Sequence, residues 1–106
     1  MRSGPSSFHL PLVDAIGARR LVSFRYHGLV RIVEPHTYGL LGGREQLLAY
    51  QIGGESRSGG LPEWRRFDVE AIVELRVRDE RFGPRAPAGG QHAAWDVILA
   101  FVPSPP

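Results

Sequence analysis

The sequence predicts a mainly β fold, a small and strongly bent β-barrel of five to six strands with one N-terminal helix. Three observations carry this reading. The apolar period changes from helical to alternating near residue 20, glycine-rich turn signals recur at short intervals, and the stretches between them are rich in β-branched and aromatic residues.

Residues 1–7 are small and polar and are expected to be disordered. Over residues 8–20, Leu12, Val13, Ala15 and Ile16 fall on one helical face. Pro11 suits the first turn, Asp14 the positive end of the helix dipole, and Arg19 with Arg20 its negative end. In residues 21–27, Val22, Phe24 and Tyr26 alternate with Ser23, Arg25 and His27, as a half-buried strand requires. His27-Gly28 resembles an Asn-Gly hairpin turn, and residues 29–35 form the return strand, which Pro35 should confine or end. Gly39, Gly42 and Gly43 mark turns, residues 45–52 a third strand, and residues 53–62 a flexible loop. Residues 64–69 and 72–78 read as the fourth and fifth strands. In the fifth, Glu74, Arg76, Arg78 and Glu80 should face solvent, joined by cross-strand ion pairs, with Val73, Leu75 and Val77 opposite. The barrel thus spans residues 8–82, and residues 83–91 read as a linker. Residues 92–106 pack on the barrel, with a helical turn leading into a last apolar strand near residues 97–102.

With 106 residues the chain has room for one domain. It has no cysteine, which excludes a disulfide framework and thiolate metal sites. Its longest apolar run is too short to span a bilayer and no signal-peptide pattern opens the chain, so a cytoplasmic protein without a membrane partner is expected. The pI of 9.7 overstates the basicity. All 13 basic residues are arginine, the net charge is only +2, and a phosphate backbone responds to that actual charge. Residues 1–62 hold seven arginines against four acids, and residues 63–106 hold six against seven, so a basic face is allowed and a uniformly basic protein is not.

The order of motifs resembles the WYL domain family. A helix ending in two arginines is followed by VSFRYHG, RIVEPHTYGL, GGREQLLAY and WRRFDVEAIVELRV. Arg20, Phe24, Tyr26, Arg31, Val33, Glu34, Pro35, Gly39, Leu40, Leu47, Ala49, Tyr50, Phe67 and Ile72 take the family's motif positions. The name-giving triplet is here Glu45-Gln46-Leu47, and Asp68 and Ala71 stand where the family carries arginines. The resemblance implies an SH3-like or Sm-like barrel and a regulatory module that senses a nucleic acid or nucleotide. Such modules are usually joined to DNA-binding helices, for which the residues before Leu12 leave no room.

Aromatic residues beside arginines suit stacking on bases and binding of phosphate. Strand alternation places Phe24 and Phe67 in the core, whereas Trp64, Tyr38 and His36 stand at a strand start or in a turn. Tyr26, Arg31, His36, Tyr38, Arg44, Arg65 and Arg66 are therefore the expected ligand-binding residues. The glycines and serines around Arg57 read as a mobile connection rather than a phosphate loop. His9, His27, His36 and His92 lack metal-ligand spacing, and no metal or cofactor is expected. Ser23 and His27, four residues apart on one strand, lie about 13 Å from each other and cannot form a nucleophile–base pair, so no catalytic residue is assigned. The expected partner is a single-stranded nucleic acid or a nucleotide, with a separate regulator protein or a second copy as the competing expectation. In that second reading the chain is a protein-interaction or structural module using its strand edges.

Overall fold

The structure is a computed structural model that describes residues 7–55, 60–85 and 94–103. The expected disordered N-terminus, Arg57 and His92 lie outside the described residues, apart from Ser7, which stands in a turn.

The first helix, α1 (His9–Ala18), buries Leu12, Ala15 and Ile16, the stripe that its apolar spacing foretells. It stops at Arg19, whose left-handed backbone (φ 57) returns its N–H to the carbonyls of Ala15 and Ile16. The chain turns there directly into β1 (Arg20–Tyr26), which pairs antiparallel with β2 (Leu29–Leu41). Between them His27 and Gly28 both take positive φ (50 and 80), as a two-residue hairpin turn needs.

Strand β2 departs from expectation. It does not stop at Pro35 but runs 13 residues, through Gly39 as well. The reason lies in its neighbours. The β1 ladder ends at Val33, the last strand, β6 (Val97–Phe101), joins the same side only from Thr37, and Pro35 occupies the gap where that side asks for no N–H donor. On the other side, the ladder to β3 (Arg44–Gly54) slips between Pro35 and Thr37, so His36 is an extra residue there. Gly39 is not a turn residue. A side chain there would strike the carbonyl oxygen of Val97 and come within 2.9 Å of the Trp95 ring and 3.2 Å of Ile98 Cα.

Strand β4 (Glu63–Asp68) pairs with β3, a single 3-10 turn (Val69–Ala71) follows, and β5 (Ile72–Arg81) returns to pair with β1. The sheet order is β4-β3-β2-β1-β5, with β6 added on β2. Among the described residues no ladder joins β4 to β5, so the six-stranded sheet stays open. Its inner face buries Val22, Phe24, Val33, Tyr38, Leu47, Ala49 and Phe67 against α1. Phe67 meets Phe24 and Tyr26 edge-on, with ring centroids 5.0 and 4.9 Å apart.

Two further expectations change. On β5 the apolar face is buried only in part: Leu75 packs against the core, whereas Val73 is 50% and Val77 39% exposed, like the charged residues between them. Strand β5 pairs on one side only, and register shifts and a positive φ at Glu74 (56) break its alternation. Its ion pairs include a cross-strand one, Arg25 to Glu74 at 3.4 Å, and one along the strand, Arg78 to Glu80 at 3.0 Å.

Arg85, expected in a linker, returns its side chain to the sheet, where it bonds Glu34, and Phe82 before it is likewise held. The N–H of Phe82 bonds Arg19 O at 2.9 Å, and the Phe82 ring rests 5.0 Å from His36. Residues 94–96 form no helical turn but lead directly to β6. Asp96 holds this approach, its carboxylate accepting from Gly42 N at 2.8 Å and its N–H bonding Leu40 O at 2.8 Å. No helix of the described residues is long and apolar enough to cross a membrane.

Candidate functional site

Strand alternation and register divide the seven expected site residues among three places. Gln51 pairs with Glu63 and with Val33, and Ala49 with Arg65, so Arg65, Glu63 and Gln51 share the inner face with Phe67, Val33 and Arg31. Tyr26 joins them from the end of β1. Tyr26, Arg31 and Arg65 thus lie on one face, along what forms the inner mouth of the sheet.

Arg31 is 5% exposed. Its guanidinium carbon lies 5.6 Å from the centroid of the Tyr26 ring and 5.8 Å from that of Phe67. It donates to Gln51 Oε1 and to the carbonyl of Tyr26, both at 3.4 Å, long for charge-assisted bonds and directed to neutral oxygens. Gln51, fully buried, is locked in the matching orientation. Its amide donates to Gly53 O and Glu55 O at 3.0 Å each, which leaves the amide oxygen for Arg31. Arg65, with its side chain 20% exposed, pairs with Glu63 at 2.8 Å. Glu55 closes the edge by accepting from Val30 N at 3.2 Å. The Tyr26 hydroxyl accepts from Asp68 N at 3.0 Å and so ties this mouth to β4.

His36 and Arg66 belong to the opposite, outer face. His36 was expected in an open turn, yet it is 3% exposed beneath Trp64 (4.8 Å) and Phe82. Its Nδ1–H donates to Glu34 O at 2.9 Å, so Nε2 is left as an acceptor, buried and without a hydrogen-bond partner among the described residues. Burial pushes its pKa down from the ordinary value of 6.5, against a smaller upward pull from the Glu34 carbonyl and carboxylate. The folded protein therefore resists the proton that the unfolded chain accepts, and stability falls as pH drops below 6.5. Urea unfolding at pH 7.5, 6.5 and 5.5 is expected to show this loss, at most about 1.4 kcal/mol per pH unit from this group, and a His36→Phe chain is expected to lack that component.

Beside His36, the buried Glu34 carboxylate takes two bonds from Arg85, at 2.7 and 3.2 Å, while the Arg85 guanidinium lies 4.2 Å from the centroid of the Tyr50 ring. The Glu34 carboxylate is thus turned to Arg85, and the His36 imidazole meets only the Glu34 main-chain carbonyl by hydrogen bond. Arg66 stacks on Trp95 at 4.1 Å and donates to Gln46 Oε1 at 2.8 Å and Ala94 O at 3.2 Å, and desolvation lowers its pKa. Arg44 is exposed at the β2–β3 turn and reaches Asp68 at 3.6 Å.

Tyr38 is a core residue, wholly buried. Its hydroxyl donates to Glu45 Oε1 at 2.6 Å and accepts from His9 Nδ1 at 3.0 Å, clamping α1 to the sheet. Neither Tyr38 nor His36 offers a stacking surface, because inward pleat and aromatic cover remove both from the surface. Sequence reasoning missed Gln51, although the inward alternation Leu47, Ala49, Gln51 marks a polar residue pointing into the interior. It also missed Arg85 and Trp95, whose irregular surroundings carry no periodic signal. No family model, no curated protein and no solved structure matches the chain.

Proposed function

We propose that the chain is a WYL-like sensing module that holds a phosphate-bearing ligand, a nucleotide or a single-stranded nucleic acid, at its inner mouth. The carrying observation is the Arg31 guanidinium, nearly enclosed between the Tyr26 and Phe67 rings and aimed by a rigid glutamine, with Arg65 on the same face. A guanidinium in so dry a setting makes a strong charge-assisted bond to a phosphate oxygen, because little water competes for it. Arg65 releases Glu63 to supply the second charge. The element order, one helix and then five antiparallel strands with a 3-10 turn before the last of them, supports reading the bent sheet as an SH3/Sm-like barrel left open between β4 and β5. The motif resemblance supports the regulatory role.

Arg65 and Arg66, adjacent in sequence, give the test. Anisotropy titrations of a fluorescein-labelled single-stranded oligonucleotide, with AMP as competitor, are expected to give micromolar affinity at low salt. Arg65→Gln is expected to weaken binding about tenfold and to flatten the salt dependence by about one unit of slope. Arg66→Gln, on the outer face, is expected to leave both unchanged. No saturable binding at low salt, or equal losses in the two variants, overturns the site.

A further inference from the structure

On the outer face, Nε2 of His36 is buried with no hydrogen-bond partner among the described residues. Its Nδ1–H donates to the Glu34 carbonyl, which can only accept, so Nε2 carries no proton in the neutral ring. The place is built for a neutral imidazole. A proton on Nε2 puts a donor without an acceptor, and a charge without water, into one dry site.

The groups over the ring differ in how firmly they are held. Trp64 belongs to β4, where it pairs with Tyr50 of β3. Phe82 and Arg85 follow the last residue of β5 in irregular backbone. Among the described residues one main-chain bond, Phe82 N–H to Arg19 O, fastens that segment. The rest is side-chain contact, Phe82 on His36 and Arg85 on the Glu34 carboxylate and the Tyr50 ring. Two charged groups act on the imidazole, Glu34 of β2 and Arg85 of this cover. From β4 the Trp64 ring meets His36, with the Tyr50 ring of β3 behind it, and beyond β6 the Val102 N–H bonds His36 O at 2.8 Å.

We infer that proton uptake by His36 releases the Phe82 and Arg85 side chains from the outer face and bares the His36, Trp64 and Tyr50 rings there, while the sheet stays folded. The imidazolium attracts the Glu34 carboxylate and repels the Arg85 guanidinium, so it competes for the acid that anchors the cover. Arg85, its side chain 45% exposed, can turn to water, whereas His36 is fixed within β2. Burial holds the covered imidazole below the ordinary 6.5, so the open form gains up to about tenfold for each pH unit below that value.

Nuclear magnetic resonance of the full chain from about pH 7.5 to about pH 5 tests this. The contacts between the His36 and Phe82 rings and between Arg85 and Tyr50 are expected to vanish together, at the midpoint where the His36 Cε1–H signal reports protonation. The core contacts of Phe67 with Phe24 and Tyr26 are expected to persist. His36→Phe and His36→Gln, which take no proton in this range, are expected to keep the Arg85 contact with Tyr50 throughout. Four outcomes each overturn the inference. They are outer contacts that survive at pH 5, contact loss at a midpoint apart from protonation, loss only together with the Phe67 contacts, and pH-dependent loss in either uncharged variant that keeps its core contacts. None of these readouts depends on the ligand site at the inner mouth.

Discussion

Truncating Phe67 to alanine is expected to cost about 3–5 kcal/mol of folding stability, the range of large aromatic deletions from close-packed interiors. The side chain is 1% exposed and stands where β1 and β4 face one another across the inner face. Its removal takes away two edge-on ring contacts, to Phe24 and Tyr26, and one wall of the Arg31 enclosure. No ladder joins β4 to β5, so packing at Phe67 stands in for the hydrogen bonds that would otherwise draw the two ends of the sheet together. For a chain of this length the loss corresponds to a fall in Tm of about 15 °C or more, readable by thermal circular dichroism. Phe67→Leu, which keeps most of the volume, is expected to lose less than half as much. Equal losses in the two variants would mean that ring geometry, and not buried volume, is what this position supplies.

Arg85→Ala is expected to have the next largest effect. The Glu34 side chain is 6% exposed and its two oxygens are taken by Arg85. Removing the guanidinium leaves a carboxylate in a dry site beneath residues 82–85, a situation that costs 3–5 kcal/mol where burial is complete. Arg85 is itself 45% exposed, so water can reach the vacated position, and about 2–3 kcal/mol is the expected loss in urea unfolding at pH 7. The control is the double variant Glu34→Gln with Arg85→Ala, expected to recover at least about 1 kcal/mol of that loss, because no charge is then stranded. Failure to recover would assign the loss to the stacking of Arg85 on Tyr50.

The helix, the tight hairpin at His27-Gly28 and the inward alternation of Phe24 and Phe67 were legible because each depends on local spacing. A helical stripe and a two-residue turn with positive φ announce themselves within a few residues. The continuation of β2 through Pro35 was not legible, because proline is excluded from a strand only where a neighbour asks for its missing N–H. Whether one does depends on β1 ending at Val33 and β6 starting at Thr37, a fact about distant segments. The burial of His36 was hidden for the same reason, since its cover, Trp64 and Phe82, comes from β4 and from beyond β5. At the site, the arginines and tyrosines were visible as types. Their division between two faces follows from pairing register, and that register places Arg65 inward beside Ala49 and Arg66 outward beside Leu48.

The arrangement of strands along β2 bears on the order in which the molecule assembles. Strands β1 to β4 are successive hairpins, each closed by a local connection, and such contacts form early because little chain entropy is lost in making them. The pairing of β5 with β1 and of β6 with β2 joins segments about half the chain apart, at a higher cost in loop-closure entropy than the hairpins. Until β6 arrives, the far half of β2 presents bare backbone beside Gly39, where nothing but hydrogen covers the main chain. Strand β6 therefore caps a bare edge of the kind that invites pairing with another chain. Any delay in the docking of β6 is an interval in which chains can cross-pair along that edge.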